Sequence, residues 1–407
     1  MRTRVPGAWL TVKRLRAHAF LVGVTLWSLY VWTLATPGLL DRNGKLKGTD
    51  FLHFYTLGSL AREHRGADLY DMDKQAALAA QRVPEAAGLR YLPLYPPQVS
   101  ILFAPFARFS YGWALALWWI CSGLLYAICC YGVWRACPNL RGHGQLVALS
   151  AAAFPAFFHV IAWGQTSALA LACFTLMFFF LRKRQEFLAG LLMGCLIFKP
   201  QLGLAAAIVF VVLGAWKVVT GAILAASAQL AAGILYYGKE PLWQWIHKLA
   251  TANSLLPLLE PKPYQTHCLR TFWAMIVPWP ALASGLYVIS ALATLALTLV
   301  LWRRGAALSL RYSALLLATV LISPHLTVYD LVILAPALLL LADWLLAQRP
   351  ETAGRMGSLL YMVYMLPLLA IATPWTHVQL SVAAMFVLLY VIERVSRQAG
   401  PAVVEQG

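Results

Sequence analysis

Charge is what this sequence has least of. Of its 407 residues only 12% are charged, and acids are the rarer sign, with 15 Asp and Glu against 32 Lys and Arg. A soluble domain carries about a quarter charged residues, so a soluble globular fold is excluded. Alternation of period two in short segments is also missing, which excludes a transmembrane β-barrel. The chain holds no glycine-rich phosphate loop, no HExxH and no GxSxG, so nucleotide cofactors are not indicated. Its seven cysteines show no CxxC spacing. Cys121, Cys129, Cys130, Cys173 and Cys195 fall inside apolar runs as small packing residues. Cys137 and Cys268 fall on opposite sides of the expected topology, so no disulfide framework follows. Neither a tandem repeat nor a low-complexity tract is present.

What is abundant is apolar: 61% of residues are hydrophobic and the mean hydropathy is +0.70. The apolar runs reach about 20 residues, the length of a bilayer span. The expected fold is therefore an all-α polytopic membrane protein. A net charge of +17 would suggest nucleic acid in a soluble protein. Here much of that charge sits between apolar spans, where cytoplasmic Lys and Arg fix orientation, so no nucleic-acid partner is expected. Arg2, Arg4, Lys13, Arg14 and Arg16 precede the first span like a signal-peptide n-region. The run that follows, 19–35, is long for an h-region and lacks a clear cleavage site. It reads as a retained first helix with a cytoplasmic N-terminus.

The expected spans are 17–36, 111–135, 145–163, 164–181, 187–199, 200–216, 218–237, 281–302, 310–323, 326–347, 356–374 and 377–394, about twelve helices. A short apolar piece, 96–108, reads as a re-entrant or surface helix started by Pro96-Pro97. Alternation places Arg135, Arg141, Arg182-Lys183-Arg184, Lys217, Arg303-Arg304 and Arg394 inside, as positive charge requires. The outside short turns hold only Lys199. The other outside basic residues lie in two long loops, 37–110 and 238–280. The first loop reads as structured. Thr49 or Asp50 can cap a helix through Phe54, Leu57 and Leu60, and Asp71 or Asp73 can cap one over 74–82. Both helices are expected to lie on the membrane surface. Residues 1–397 read as one transmembrane domain and 398–407 as a disordered tail.

This topology gathers Asp50, Tyr95, Trp163-Gly164-Gln165, Lys199 and Ser323-Pro324-His325 at the same, outer end of the bundle. Asp50 can serve as a helix cap or as a general base that removes a proton from an acceptor hydroxyl. His53 lies one helical turn on and can bond the carboxylate or an acceptor. A lysine at membrane depth is costly and usually functional, so Lys199 suits a phosphate or pyrophosphate, although snorkelling from the Pro200 break also accounts for it. His325 can donate to a phosphate oxygen or shuttle a proton. Asp330 is a further ionisable group near lipid depth. Gln165 can bind a sugar or cap a helix, and Tyr91, Tyr95 and Trp163 can stack on a sugar ring or simply mark the interface. Asp71-Met72-Asp73 mimics a metal-binding DxD, but it precedes a helix and needs no metal to explain it.

The order of these pieces resembles glycosyltransferase family 87 of the GT-C superfamily, also labelled DUF2029. The family includes polyprenyl-phosphate-mannose-dependent α-1,2-mannosyltransferases. The matching residues are Thr49-Asp50-Phe51 with Tyr55, Asp68-Leu69-Tyr70-Asp71, Tyr95-Pro96-Pro97 with Pro105, Trp163-Gly164-Gln165, Phe198-Lys199-Pro200-Gln201 and Ser323-Pro324. One departure is that His325 follows Pro324 directly, and Tyr329-Asp330 occupy the positions where mycobacterial members carry histidines. The resemblance implies a GT-C-like bundle of about twelve transmembrane helices with a structured extracytoplasmic first loop. It implies a polyprenyl-phosphate sugar donor, a glycolipid or glycan acceptor, and a bacterial inner-membrane enzyme whose site faces the periplasm. Asp50 falls at the family's catalytic position. Lys199 falls in its lysine-proline motif facing the donor phosphate, with His325 beside it. His53, Tyr95, Gln165 and Asp330 are expected to bind substrate, and no cofactor or metal is expected. The rival readings are a transporter or flippase of a lipid-linked sugar, which would carry mid-membrane ionisable residues and a repeat, and a non-enzymatic subunit of an envelope assembly complex.

Overall fold

A computed structural model describes residues 11–251, 260 and 262–398. The expected tail, apart from Gln398, lies outside the described residues, as do the first ten residues and part of the second long loop. The fold is helical. Among the described residues no strand forms, and only two isolated bridges occur, Leu40 with Leu46 and Thr266 with Thr327.

Among the described residues six helices are long and apolar enough to cross a membrane: Val12–Leu34 (α1), Tyr111–Ala136, Trp216–Tyr237, Pro280–Arg303, Val328–Leu346 and Gly354–Thr376. A seventh candidate is a broken span, expected above as 145–163. It consists of two helices bent by 45° at a break before Pro155, which cannot continue the hydrogen-bond ladder. Four of the other expected spans are shorter. Ser167–Arg182, Glu186–Phe198, Pro200–Val212 and Leu308–Ile322 are apolar helices of 10–17 residues. Proline sets two of these boundaries. Pro155 opens one half of the broken span, and Pro200 stands at the first position of its helix after a 3-10 turn over Cys195–Phe198. An amphipathic helix, Leu380–Gln398, closes the described chain.

The first long loop contains α2 (Phe51–Arg62), α3 (Met72–Arg82) and α4 (Gln98–Phe103). The helix α3 has the expected cap: Asp71 Oδ1 accepts from the backbone N–H groups of Asp73 and Lys74. Its neighbour α2 departs from expectation. Every residue from Phe51 to Ala61 is buried, so α2 is enclosed by protein rather than laid on a membrane surface. The reason is an aromatic cluster. Phe51 packs on Phe103, Phe106, Tyr111 and Trp118, and α4 approaches so closely that a Cβ on Gly58 would stand 2.4 Å from the Phe103 carbonyl oxygen.

After α5 (Tyr111–Ala136) come the two bent halves α6 (Gly144–Ala152) and α7 (Pro155–Trp163), then α8 (Ser167–Arg182), α9 (Glu186–Gly194), α10 (Pro200–Val212) and α11 (Trp216–Tyr237). The pair α9 and α11 meets backbone to backbone. A Cβ on Gly190 would lie 2.1 Å from the Val218 carbonyl oxygen, one on Gly194 2.2 Å from that of Ala222, and one on Gly221 2.3 Å from that of Phe187. Small residues at a helix interface permit this approach in lipid, where apolar side chains alone give little drive for association. Gly190→Ala is expected to destabilise the protein by about 1–3 kcal/mol, because the backbone must separate to admit the methyl group. Gly123→Ala in α5 meets nothing within 4 Å and is expected to be neutral or slightly stabilising. Thermal unfolding of the two variants in one detergent checks the contrast.

Candidate active site

Asp50 is placed from several directions. Tyr111 donates from its hydroxyl to the carbonyls of Lys47 (2.8 Å) and Gly48 (2.9 Å), and Tyr91 donates to that of Thr49. The Asp50 N–H itself donates to the Trp163 carbonyl at 2.9 Å. Asp50 precedes α2, yet its side chain makes no capping bond there. It turns instead to the hairpin between α7 and α8, where Gln165 Nε2 donates to Oδ2 at 2.7 Å. The hairpin permits this because residue 164 is glycine. Its φ is +71°, and a Cβ would lie 2.6 Å from that of Phe51. Only glycine tolerates both conditions. Trp118 Nε1 holds the Gly164 carbonyl at 3.1 Å.

Burial drives the Asp50 carboxyl upward. The Gln165 bond and the nearby Lys199 charge pull it back in part, and it titrates at about 6. At pH 7 it is mostly ionised and still more basic than an ordinary carboxylate.

Lys199 sits in the break between the 3-10 turn and α10, where the residue before a proline is kept out of the helical region. It is 4% exposed. Its Nζ donates to Asp330 Oδ1 at 2.7 Å and to Ser167 Oγ at 3.1 Å, and Ser167 donates to the same Asp330 oxygen at 2.5 Å. The ammonium also lies 4.9 Å from the Tyr329 ring centroid. Two of its three N–H groups are thus used. Asp330 therefore serves Lys199 directly, and Gln165 serves Asp50.

His325 Nδ1 bonds Glu260 at 2.7 Å, and Arg270 joins the same carboxylate while also donating to the Pro324 carbonyl. Burial favours a neutral Glu260, but the bonds from His325 and Arg270 outweigh it and hold the carboxyl below its ordinary range.

All seven residues expected at a site, Asp50, His53, Tyr95, Gln165, Lys199, His325 and Asp330, line one cleft of about 690 Å³. That is within the usual range for small-molecule sites. A second cavity, of about 420 Å³, lies between α1, α6 and later helices; its wall holds no carboxylate or lysine. The cleft also recruits residues that the sequence did not single out: Arg90, Glu260, Lys262 and Arg270. A signal for the three cations existed. They belong to the basic residues of the two long loops, which positive-inside topology does not explain. Among the described residues no cluster of three or more His, Cys, Asp or Glu side chains has the arrangement of a metal site.

Apolar helices around a half-open cleft, walled by aromatic side chains and carrying several charged ones, define a membrane protein with a small-molecule-sized cleft. The sequence profile of glycosyltransferase family 87 matches residues 94–324, more than half of the chain, and the protein belongs to that family of membrane glycosyltransferases. The matched stretch contains Tyr95, Gln165 and Lys199. Asp50 and His53 precede it, and His325 and Asp330 lie just past it. No curated protein and no solved structure matches the chain.

The Gln165 bond lowers the Asp50 pKa, so Gln165→Leu is expected to raise the titration midpoint above 6. Infrared difference titration of the carboxyl band, with Asp50→Asn as the blank, measures the shift.

Proposed function

We propose that the protein transfers a hexose, mannose being the expected one, from a polyprenyl-phosphate donor to a glycolipid or glycan acceptor, with inversion, at the periplasmic face of a bacterial inner membrane. One observation carries the reading. A half-buried carboxylate that caps no helix is held by an amide, in a cleft shared with a buried ammonium. The polyprenyl phosphate, the acceptor class and the orientation rest on the family and on the alternation of basic residues between spans.

In the proposed reaction Asp50 accepts the proton of an acceptor hydroxyl as that oxygen attacks the anomeric carbon. The C–O bond to the donor phosphate breaks on the opposite side, and its electron pair stays with the phosphate oxygen. Lys199 supplies its remaining N–H to that oxygen, and His325 and Arg270, braced on Glu260, stand in the same cleft as further N–H donors. Asp330 and Ser167 hold Lys199 in place. Gln165 keeps the accepting oxygen of Asp50 aimed, and Tyr95 forms part of the wall that positions the substrates. Phosphate is a fair leaving group, so this route needs no metal.

With the full chain in lipid nanodiscs and a synthetic polyprenyl-phosphate mannose, Asp50→Asn is expected to cut transfer by about 10²–10⁴-fold while donor binding stays unchanged. Transfer by the wild type is expected to rise with pH through a midpoint near 6, because the base must be ionised and its carboxyl titrates at about 6. Lys199→Ala is expected to weaken donor binding about tenfold, the cost of one charge-assisted hydrogen bond. Full activity in Asp50→Asn would remove that residue from the mechanism, and unchanged donor affinity in Lys199→Ala would remove the lysine.

A further inference from the structure

His53 stands apart from three other histidines that are buried or half-buried. His159 bonds the Pro155 carbonyl at 2.8 Å, His267 bonds Ser381 Oγ at 2.7 Å, and His325 bonds Glu260 at 2.7 Å. His53 is 4% exposed, and neither of its ring nitrogens has a hydrogen-bond partner among the described residues. Buried polar groups are almost always paired, and an unpaired one asks for an explanation. Its position supplies one. His53 lines the cleft one helical turn after Asp50, on the same face of α2.

The surroundings of the ring are aromatic and braced. Tyr91, Tyr95 and Phe54 lie 5.3, 5.7 and 5.7 Å from it, centroid to centroid. Tyr91 is tied by its hydroxyl to the Thr49 carbonyl. The Tyr95 carbonyl is held by the Tyr70 hydroxyl at 2.9 Å, and the Leu94 carbonyl by Trp245 Nε1 at 2.9 Å. Trp163 and Tyr329 continue the cleft lining. Flat apolar faces with few polar tips suit a sugar ring, whose C–H faces are apolar and whose rim carries hydroxyls.

We propose that His53 binds a hydroxyl of the acceptor adjacent to the one Asp50 activates, so that the acceptor presents a pyranose ring with two neighbouring hydroxyls to this wall. The inference rests on Asp50 being the base. It assigns the acceptor to the wall of the cleft formed by α2 and residues 91–95. Burial holds His53 neutral, titrating at about 4. One ring nitrogen then donates and the other accepts, which matches a hydroxyl and gives no charge attraction for phosphate.

Equilibrium binding of methyl α-D-mannopyranoside, methyl β-D-glucopyranoside and the monodeoxy analogues of each, measured by saturation-transfer NMR on the full chain in nanodiscs, tests this without requiring transfer. The wild type is expected to bind at least one parent glycoside and to lose about tenfold in affinity for one deoxy analogue. His53→Phe is expected to bind the parent about tenfold more weakly and to bind parent and analogue equally, since the two deletions remove the same hydrogen bond. His53→Gln, which keeps a donor and an acceptor, is expected to retain part of the discrimination and guards against misfolding of the Phe variant. Discrimination that survives in His53→Phe overturns the proposal. So does a wild type that binds neither parent or treats every analogue alike. A wild type that discriminates as expected but transfers no sugar from any polyprenyl-phosphate donor contradicts the glycosyl-transfer reading instead, and leaves the hydroxyl site standing.

Discussion

The hydrogen bond from Gln165 to Asp50 is the contact on which the rest of the site depends. A carboxylate half-buried in a membrane protein stays ionised only if something compensates for its lost hydration. Here a neutral amide does most of that, at 2.7 Å, and a lysine contributes from further off. The contact requires α2 to start against the α7–α8 hairpin, with Asp50 N–H on the Trp163 carbonyl. That docking in turn requires a glycine at 164 and an aromatic cluster around Phe51. Loop, hairpin and core are thus linked through one side chain.

The remaining charges follow the same economy. Lys199 and Asp330 form a buried pair, and Ser167 satisfies both. Removing one member of such a pair leaves an uncompensated charge, whereas a pair as a whole adds little to stability. A buried ion pair at a substrate cleft is therefore weak evidence for stability and better evidence for positioning. Glu260 plays a similar part at the mouth, shared by His325 and Arg270. Asp50 is the exception in the cleft, because its hydrogen-bond partner carries no charge. Burial outweighs that bond, and the carboxyl titrates at about 6, where a base is useful.

Much of this was legible in the sequence, and the failures have physical causes. Helical class followed from apolar run length. Asp50, Lys199, Gln165 and His325 could be brought to one end of the bundle by counting spans and basic turns, and the structure sets them around one cleft. The count of twelve spans was less secure, because α8, α9 and α10 are short apolar helices divided at Pro200 and at polar turns. Hydropathy cannot say how short segments combine. The enclosure of α2 was not readable, because an amphipathic pattern next to a membrane fits a surface helix as well as a buried one. Partners across long loops were the least legible. Nothing local to Glu260 or Arg270 announces that they meet His325. Only the surplus of basic residues in those loops hinted at an anion.

Membership in glycosyltransferase family 87 accounts for a membrane bundle with a substrate-sized cleft, and in the proposed reaction the acceptor lies along α2 and the tyrosines while the donor phosphate meets Lys199. The most direct test is a structure of the full chain in nanodiscs with a bound polyprenyl phosphate. The account predicts the phosphate within hydrogen-bonding reach, about 3 Å, of Lys199 Nζ, in the same cleft as Asp50. A phosphate seated in the apolar cavity beside α1, or anywhere out of reach of Lys199, would contradict it.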